Sequence, residues 1–159
     1  MGSRAKIYLA YIAGFLDVDG SLMLQVKKRK DGKLKRRFMC TICFYQDSRH
    51  EGALSWIRKI LGIGYISRRN DGMTELRING FTQVRTIMKS LLPYIRFKKD
   101  QANALYKAAS LLSRKTEKHL DRLELLNIVD CILKIQNGNY ATRSKKTKEE
   151  LLHILALTP

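Results

Sequence analysis

Carboxylates are scarce in this chain of 159 residues, where 14 aspartates and glutamates stand against 31 lysines and arginines, a formal net charge of +17. Such an excess of positive charge favours a polyanionic partner, either a nucleic acid or an anionic membrane surface. A membrane partner is disfavoured because no apolar run approaches the ~20 residues needed to span a bilayer. Residues 1–6 have no apolar core behind their charges, so we expect no signal peptide.

Cysteine is also rare. The three cysteines, Cys40, Cys43 and Cys131, give an odd count with no disulfide pattern, which fits a reducing compartment. Cys40 and Cys43 have the spacing of a zinc-ligand pair. However, residues three apart in a strand point to opposite faces, and no second pair is present to complete a site. We therefore predict that these thiols bind no metal.

The most distinctive stretch, Tyr8–Ser21, is almost free of charge until Asp17 and Asp19. It predicts a helix that Gly20 ends in a left-handed conformation, with a strand beginning at Leu22. Carboxylates in the last turn of a helix are unfavourable, because the helix dipole already places negative charge there; the pair is therefore a candidate for holding a divalent cation. The alternative is that both aspartates only cap the helix and turn the chain.

One face of this predicted helix carries little side chain, because Ala10, Ala13 and Gly14 lie on it. A second helix could therefore approach it closely. The sequence alone leaves open whether that helix belongs to the same chain or to the partner in a dimer.

Apolar alternation and turn signals in the rest of the chain predict two β-hairpins, with turns at Asp31-Gly32 and Asp71-Gly72, and several helices. The predicted order is α-β-β-α-β-β-α followed by helices, which makes residues 1–159 one α+β domain. Predicted caps are a capping box at 48–51, an N-cap at Thr82 and a capping box at 147–150. The predicted strands are 21–29, 35–45, 65–69 and 74–79, and the later helices are 81–92, 98–113, 116–136 and 149–157.

Each predicted strand has one apolar face and one polar, basic face, and eight of the eleven residues in 27–37 are lysine or arginine. A charge run alone is usually a solvated surface. Here it joins amide, hydroxyl and carboxylate groups, the mixture that is needed to contact base edges as well as phosphates. We predict nucleic-acid contacts, with DNA as the ligand that the family resemblance below implies, from Gln25, Lys27, Arg29, Arg37, Met39, Thr41, Cys43, Ser67, Arg69, Glu75 and Arg77, and backbone contacts from Arg143 and Lys145 of a basic loop at 139–146.

Residues 12–20, Ile-Ala-Gly-Phe-Leu-Asp-Val-Asp-Gly, resemble the motif that names the LAGLIDADG homing endonucleases. From about residue 7 to residue 112 the chain is similar to their single-motif, homodimeric organellar-intron type. Further similarity to these endonucleases lies at residues 62–65, at residues 92–94, at Lys98 and at residues 101–103. The resemblance implies the LAGLIDADG homing endonuclease fold, in which the four strands form an antiparallel, saddle-shaped sheet and further helices follow the core.

The resemblance also implies an activity. A homodimer, joined through the first helix at Tyr11, Gly14, Phe15 and Val18, would cut both strands of a double-stranded, pseudo-palindromic DNA site of about 20 bp. The cut would leave short 3′ overhangs and promote intron mobility. The implied location is an organelle, the chloroplast rather than the mitochondrion.

The implied active site centres on Asp19 as a ligand of Mg²⁺, with Val18 beside it in the metal site. By position, Gln46 would orient the attacking water and Lys98 would be the cationic partner of that water. Asp17 would be structural. Two positions depart from the family pattern: Val18 stands where alanine or glycine is preferred, and His50 stands where arginine is frequent.

Two other functions remain open on the sequence. One is an RNA-binding intron maturase with the same fold, and the other is a basic RNA-binding or ribosomal protein without catalysis. The presence of Asp19, Gln46 and Lys98 argues against both, and a Mg²⁺-dependent nicking assay separates them from an endonuclease. Trp56, Tyr65 and Phe97 are predicted to pack in or around the core.

Overall fold

The computed structural model describes residues 2–140 and 143–158, and its sheet has four antiparallel strands in the spatial order Gly20–Lys28, Arg36–Asp47, Met73–Asn79 and Tyr65–Arg68. Helices cover the apolar side of this sheet. The element order is the predicted one, so the α+β prediction is confirmed. The elements are α1 (Ser3–Asp19), β1 (Gly20–Lys28), β2 (Arg36–Asp47), a 3-10 turn (Ser48–His50), α2 (Gly52–Leu61), β3 (Tyr65–Arg68), β4 (Met73–Asn79), α3 (Phe81–Leu91), α4 (Lys99–Arg114), a second 3-10 turn (Glu117–His119), α5 (Arg122–Gly138) and α6 (Lys148–Ile154).

The core forms because alternate residues of each strand are apolar and face the helices. In the first hairpin Leu22 pairs with Ile42 and Val26 with Phe38, and all four are buried. Each such side chain contributes ~1.5–3 kcal/mol when it is removed from water. A register slip of one residue would move this whole set to the other face, so burial fixes the register and leaves the polar residues on the uncovered side.

The two predicted Asp-Gly turns are confirmed, since Gly32 and Gly72 have φ angles of +83° and +79°. The prediction for Gly20 is wrong. Gly20 is extended, with φ −121° and ψ 170°. Glycine is needed there for space, because a Cβ would lie 2.5 Å from Leu16 Cδ1 and 2.8 Å from the Leu16 carbonyl oxygen.

Two predicted helix caps are wrong, and the reasons are tertiary. Asp47, not Ser48, caps the 3-10 turn, and α2 starts only at Gly52. The Glu51 carboxylate, which the predicted capping box requires, bonds instead to Arg68 and Thr74. Helix α3 begins at Phe81 after Gly80, so Thr82 is not its N-cap.

The C-terminal helices are closer to prediction. The capping box between Thr147 and Glu150 is confirmed. The segment predicted as one helix over 116–136 is a 3-10 turn followed by α5, which Asp121 and Glu124 start with a capping box. Within residues 2–140 and 143–158, no helix combines the length and apolarity needed to cross a membrane.

Candidate active site and nucleic-acid interface

Asp17, the first acidic residue of the pair in the last turn of α1, faces inward. Its carboxylate is 7% exposed and accepts hydrogen bonds from the main-chain N–H groups of Arg96 at 2.6 Å, Phe97 at 3.3 Å and Lys98 at 3.0 Å. These groups lie directly before α4. Asp17 therefore ties the end of α1 to the start of α4, which agrees with the structural role that the resemblance implied.

Lys98, at the start of α4, makes a second connection to the end of α1. Its Nζ donates to the carbonyl oxygens of Leu16 at 2.9 Å, Asp17 at 2.6 Å and Gly20 at 2.8 Å. An ammonium has three donors, and all three are used on the C-terminal end of α1, where the helix dipole favours a cation. Burial lowers the pKa of this amine, while the Asp17 and Asp19 carboxylates oppose that shift.

Asp19 is the contrasting residue. It is exposed at the last position of α1, and its carboxylate makes no hydrogen bond or ion pair within the described residues. The side chain of the preceding residue, Val18, is 69% exposed and has no ligand atom, so only its main-chain oxygen could touch a metal. Within residues 2–140 and 143–158, no three His, Cys, Asp or Glu side chains are grouped so that they could hold a metal ion.

Gln46 is brought to the same end of the sheet by the strand register. Gly20, the residue after Asp19, pairs with Phe44, and Gln46 follows two residues later on the same side of β2. Its Oε1 accepts the Asp47 N–H at 2.8 Å, which fixes the amide and leaves its NH₂ group without a partner in the described part of the chain. Gln46 can therefore donate to a water or a phosphate oxygen.

The turn after Gln46 is held by two carboxylates. Asp47 accepts the Arg49 N–H and pairs with the Arg49 guanidinium at 2.7 Å, and this hydrogen bonding lowers the pKa of Asp47. Glu51 pairs with Arg68 and accepts from Thr74, which lowers the pKa of Glu51 to about 2. Together these contacts present His50 in an exposed position one turn beyond Gln46.

Replacement of Asp17 by alanine is expected to destabilise the fold. The variant leaves three main-chain N–H groups without their carboxylate, which should lower the free energy of unfolding by about 3–5 kcal/mol. Urea denaturation of Asp17→Ala measures this. The matched control is Asp130→Ala, because Asp130 is exposed and should change stability by less than about 0.5 kcal/mol. Equal stability of the two variants would contradict the structural role of Asp17.

The polar face of the sheet, which no helix covers, collects the predicted DNA-contacting residues of the strands. Ser67 pairs with Glu75, Gln25 with Met39 and Lys27 with Arg37, so their side chains form cross-strand rows. Several of its arginines are held by carboxylates: Arg77 by Glu75 at 3.0 Å, Arg69 by Asp71 at 2.8 Å and Arg29 by Asp31 at 2.7 Å.

Two residues of this face differ from the prediction that they contact DNA directly. Thr41 is 2% exposed and Cys43 is fully buried, because their larger neighbours on the face cover them. Thr41 donates to Asn79 Oδ1 at 2.7 Å, and Cys43 Sγ lies 3.8 Å from Glu75 Oε2. They can support the side chains above them but do not present their own atoms to a ligand.

The thiols lie as predicted for a pair without a shared metal. Cys40 belongs to the apolar core, whereas Cys43 belongs to the opposite face. Burial raises the pKa of Cys40 to about 12 and that of Cys43 to about 11, so both thiols stay protonated.

Sequence reasoning did not assign Ser21, Tyr45 or Tyr65 to the polar face, and it placed Asn79 there without naming it as a DNA contact. Ser21 donates to or accepts from the Tyr45 hydroxyl at 2.9 Å, and the Asn79 amide lies 3.4 Å from the Tyr65 hydroxyl. Strand alternation already placed Ser21 with Gln25 and Tyr45 with Thr41, so the signal was present in the pattern. Tyr65, predicted to pack around the core, is instead 49% exposed on this face.

The basic hairpin tip and the C-terminal loop are differently anchored. Arg36 is the exception in the tip, since it turns towards the helices and pairs with Glu117 at 2.7 Å. The loop is fixed to edge strand β1 by Asn139, whose Nδ2 donates to the Leu22 carbonyl at 3.0 Å. Arg143 and Lys145 are exposed on it, while positions 141 and 142 of the predicted loop lie outside the described residues.

Helix α1 has an exposed apolar face. Gly14 is open, and an added Cβ there would meet nothing within 4 Å. The sequence left open whether the small-residue face of this helix meets the same chain or a partner. For Ala13 the contact is within the chain, because this residue is fully buried in the core. The large side chains that remain exposed on it are Ile7 at 63%, Tyr11 at 56% and Val18 at 69%.

Three aromatic residues near this face differ in how far they are buried and in what they pack against. Phe15, predicted for a dimer contact, is half-buried against Phe44 of the same chain, with ring centroids 6.2 Å apart. Trp56 packs edge-on against Tyr11 at 5.4 Å, as a packing residue should. The prediction for Phe97 is wrong, because its ring is 82% exposed beside the end of α1.

Comparison with known proteins gives consistent matches. A family model described as LAGLIDADG endonuclease matches residues 12–109. The chain is 37% identical over 97 residues to the DNA endonuclease I-CvuI of Chlorella vulgaris, an alignment that covers 61% of this chain and 60% of that relative. It is 25% identical over 151 residues to the DNA endonuclease I-CreI of Chlamydomonas reinhardtii, covering 95% and 92%. The crystal structure of I-CvuI with its target and calcium has a TM-score of 0.86 at 28% identity and covers 98% of this chain and 97% of that one.

Proposed function

This chain belongs to the LAGLIDADG endonuclease family and has the LAGLIDADG homing endonuclease fold, and from that premise we propose that it is a site-specific DNA endonuclease. One observation carries the proposal: Asp19, whose exposed carboxylate has no partner among the described residues, lies at the end of the sheet whose polar face is open and basic. A two-stranded ribbon fits the major groove of B-DNA, and this sheet offers two such ribbons side by side.

Asp19 and the main-chain oxygen of Val18 are the groups we propose as ligands of Mg²⁺. Carboxylate and carbonyl oxygens are the ligands that Mg²⁺ prefers, so the donor set fits, with waters and DNA oxygens completing the shell. Bound there, the ion would neutralise charge that develops on the scissile phosphate. The relative I-CvuI has been crystallised with DNA in the presence of calcium and of magnesium, which supports a divalent cation.

Gln46 and Lys98 would act around this carboxylate. The NH₂ group of Gln46, which has no partner among the described residues, can hold the attacking water in line with the phosphate. Lys98 fixes the last turn of α1, and so the position of Asp19, through its three carbonyl contacts. To donate to water as well, its ammonium would have to release one of these carbonyls when DNA binds.

Cleavage of both strands needs two such sites, and one chain supplies one Asp19. We propose a homodimer that meets through the exposed face of α1, with Tyr11, Gly14, Val18 and part of Phe15 in contact. Exposed Phe97, beside the end of α1, extends this surface. Two copies would set two Asp19 carboxylates near the twofold axis and cut a pseudo-palindromic site of about 20 bp, leaving short 3′ overhangs.

The biological role would be intron mobility. The relatives I-CvuI and I-CreI come from green algae, Chlorella vulgaris and Chlamydomonas reinhardtii, which supports an organellar setting and favours the chloroplast.

Selection from a random pool of DNA duplexes tests the function. The protein is incubated with the pool and Mg²⁺, and the cleaved molecules are recovered and sequenced. We expect one family of pseudo-palindromic sites cut on both strands, with no products when the metal is chelated. Products without a common sequence, or no products at any metal concentration, would contradict a site-specific endonuclease.

Base reading and backbone gripping should be separable by mutation. Arg143→Ala removes one exposed loop cation, which should lower the slope of log K against log salt by about 0.9 without altering base preference. Arg69→Ala and Arg77→Ala should instead relax preference at particular positions by ~1–3 kcal/mol each. Binding measured over a salt series with single-base variants of the selected site distinguishes them. A changed base preference in Arg143→Ala, with none in the other two, would reverse this division.

A further inference from the structure

A groove runs between α3 and α4 on the outer surface of the helical layer. Its volume is ≈ 640 Å³. The opposite side of α3 carries Val84, Ile87 and Met88, which are buried, so the groove is separated from the polar face of the sheet by the core. Seven residues line the groove: Arg85, Thr86, Lys89, Tyr106, Lys107, Ser110 and Arg114.

The groove is basic, and none of the described residues that line it carries a carboxylate. Helix α3 contains no acidic residue, and α4 has only Asp100, in its first turn. Among the described residues, none of the four groove cations takes part in an ion pair, although seven basic residues elsewhere do. Those seven are Arg29, Arg36, Arg49, Arg68, Arg69, Arg77 and Lys115. The positive charge of the groove is therefore left for an external anion.

The two groove arginines are oriented by the last turn of α4. Arg85 Nη1 donates to Ser113 Oγ at 3.1 Å, and Arg114 Nε donates to the Ser110 carbonyl at 3.1 Å. Each guanidinium has five donors, so each keeps others for a ligand. Ser110 Oγ is shielded from solvent and has no hydrogen-bond partner among the described residues, so the side chain would have to change rotamer before its hydroxyl could donate to a ligand in the groove.

The shape and chemistry fit a single strand. Packed helix axes lie about 8–10 Å apart, so a groove between two of them is too narrow for a duplex. Tyr106 adds a half-buried aromatic ring to the lining. Arginines on phosphates combined with an aromatic ring under a base are the usual means of holding single-stranded nucleic acid.

We propose that the α3–α4 groove is a second nucleic-acid site, which binds the phosphodiester backbone of a single strand while the polar face of the sheet holds duplex DNA. The shared chemistry is phosphate with an exposed base, which single-stranded RNA and single-stranded DNA both offer. The proposal does not depend on cleavage.

The test uses fluorescence anisotropy with labelled 15-nucleotide single strands of mixed sequence, one RNA and one DNA. Saturating unlabelled 30-bp duplex is present to occupy the sheet. The variant is Lys89→Gln with Lys107→Gln, because both lysines are exposed and make no hydrogen bond in the described part of the chain. Each phosphate contact contributes about 0.7 to the salt slope, so the slope should fall by about 1.4 and binding at 0.15 M salt should weaken by about tenfold.

The matched control is Lys59→Gln with Lys118→Gln, an equal charge change at exposed positions outside the groove. We expect the control to keep the wild-type slope, and both double variants to keep duplex binding. Tighter RNA binding than DNA binding would assign the site to RNA, and equal binding would assign it to either strand. An equal slope change in both variants, complete displacement of the single strands by duplex, or no binding of either strand would overturn the proposal.

Discussion

Asp19→Asn should abolish cleavage and leave DNA binding intact. The substitution keeps the size of the side chain and removes one anionic ligand from each proposed metal site. Since a bound metal ion contributes several kcal/mol of charge stabilisation in the transition state, we expect a loss of about 10³-fold or more in the cleavage rate. Binding should be unchanged or stronger, because a negative charge next to the phosphates is removed.

Because Asp19 is exposed, this test separates an effect on catalysis from an effect on stability. Its carboxylate holds no other group of the described chain, so its loss should not alter stability, in contrast to Asp17. Asp130→Asn is the matched control, an exposed aspartate far along α5 that undergoes the same change of charge. Cleavage rates and duplex affinities of the three proteins are measured on the selected site. A wild-type cleavage rate in Asp19→Asn would refute the catalytic assignment.

Strand pattern and turn chemistry were enough to predict the two hairpins, whereas their joining into one four-stranded sheet was implied by the family resemblance. The alternation in β1 and β2 fixed which residues face the core, and Asp-Gly dipeptides fixed both turns, because only residues that tolerate positive φ fit there. These features depend only on residues that are close in the sequence, so the sequence alone reveals them. Residues close together in the sequence were therefore sufficient to predict the hairpins and the capping box at Thr147.

The errors occurred where a distant residue competes for a side chain. Glu51 has the right spacing for a capping box, but in the folded structure its carboxylate bonds to Arg68 and Thr74 instead. Cys43 alternates correctly onto the polar face, yet larger neighbours on that face bury it. The role proposed for Lys98 beside the attacking water stays a prediction, but its contacts with the carbonyls of Leu16, Asp17 and Gly20 could not be predicted from local sequence. Such contacts span up to 82 residues of sequence and leave no local signal.

The candidate site shows the same division. Asp17 and Asp19 are two residues apart and chemically identical, but one is buried on three N–H groups and the other is open. The helical period separates their directions, which the sequence could predict. What α4 places against Asp17 could not be predicted, because it depends on how the two helices pack.

Gly14→Glu should convert the proposed homodimer into monomers that bind DNA weakly and make no double-strand breaks. Two copies of the charge would face each other across the proposed interface, and burying an unpaired charge costs several kcal/mol. A cost of about 3 kcal/mol or more raises the dissociation constant of the dimer at least about 100-fold. The wild type should sediment as a dimer at micromolar concentration without DNA, and the variant as a monomer.

The structure lets this variant separate assembly from folding. A Cβ at Gly14 meets nothing within 4 Å, so the glutamate side chain can extend into solvent from an intact monomer. Gly52→Glu is the matched control, because Gly52 is also exposed in a helix with open space around its Cβ but belongs to α2 and not to the exposed face of α1. Both variants should unfold cooperatively in urea, Gly52→Glu at the wild-type midpoint and Gly14→Glu at a midpoint lowered by the loss of the dimer contribution, and only Gly14→Glu should lose the dimer. A monomeric wild type, or a Gly14→Glu protein that remains a cutting dimer, would refute the α1 interface.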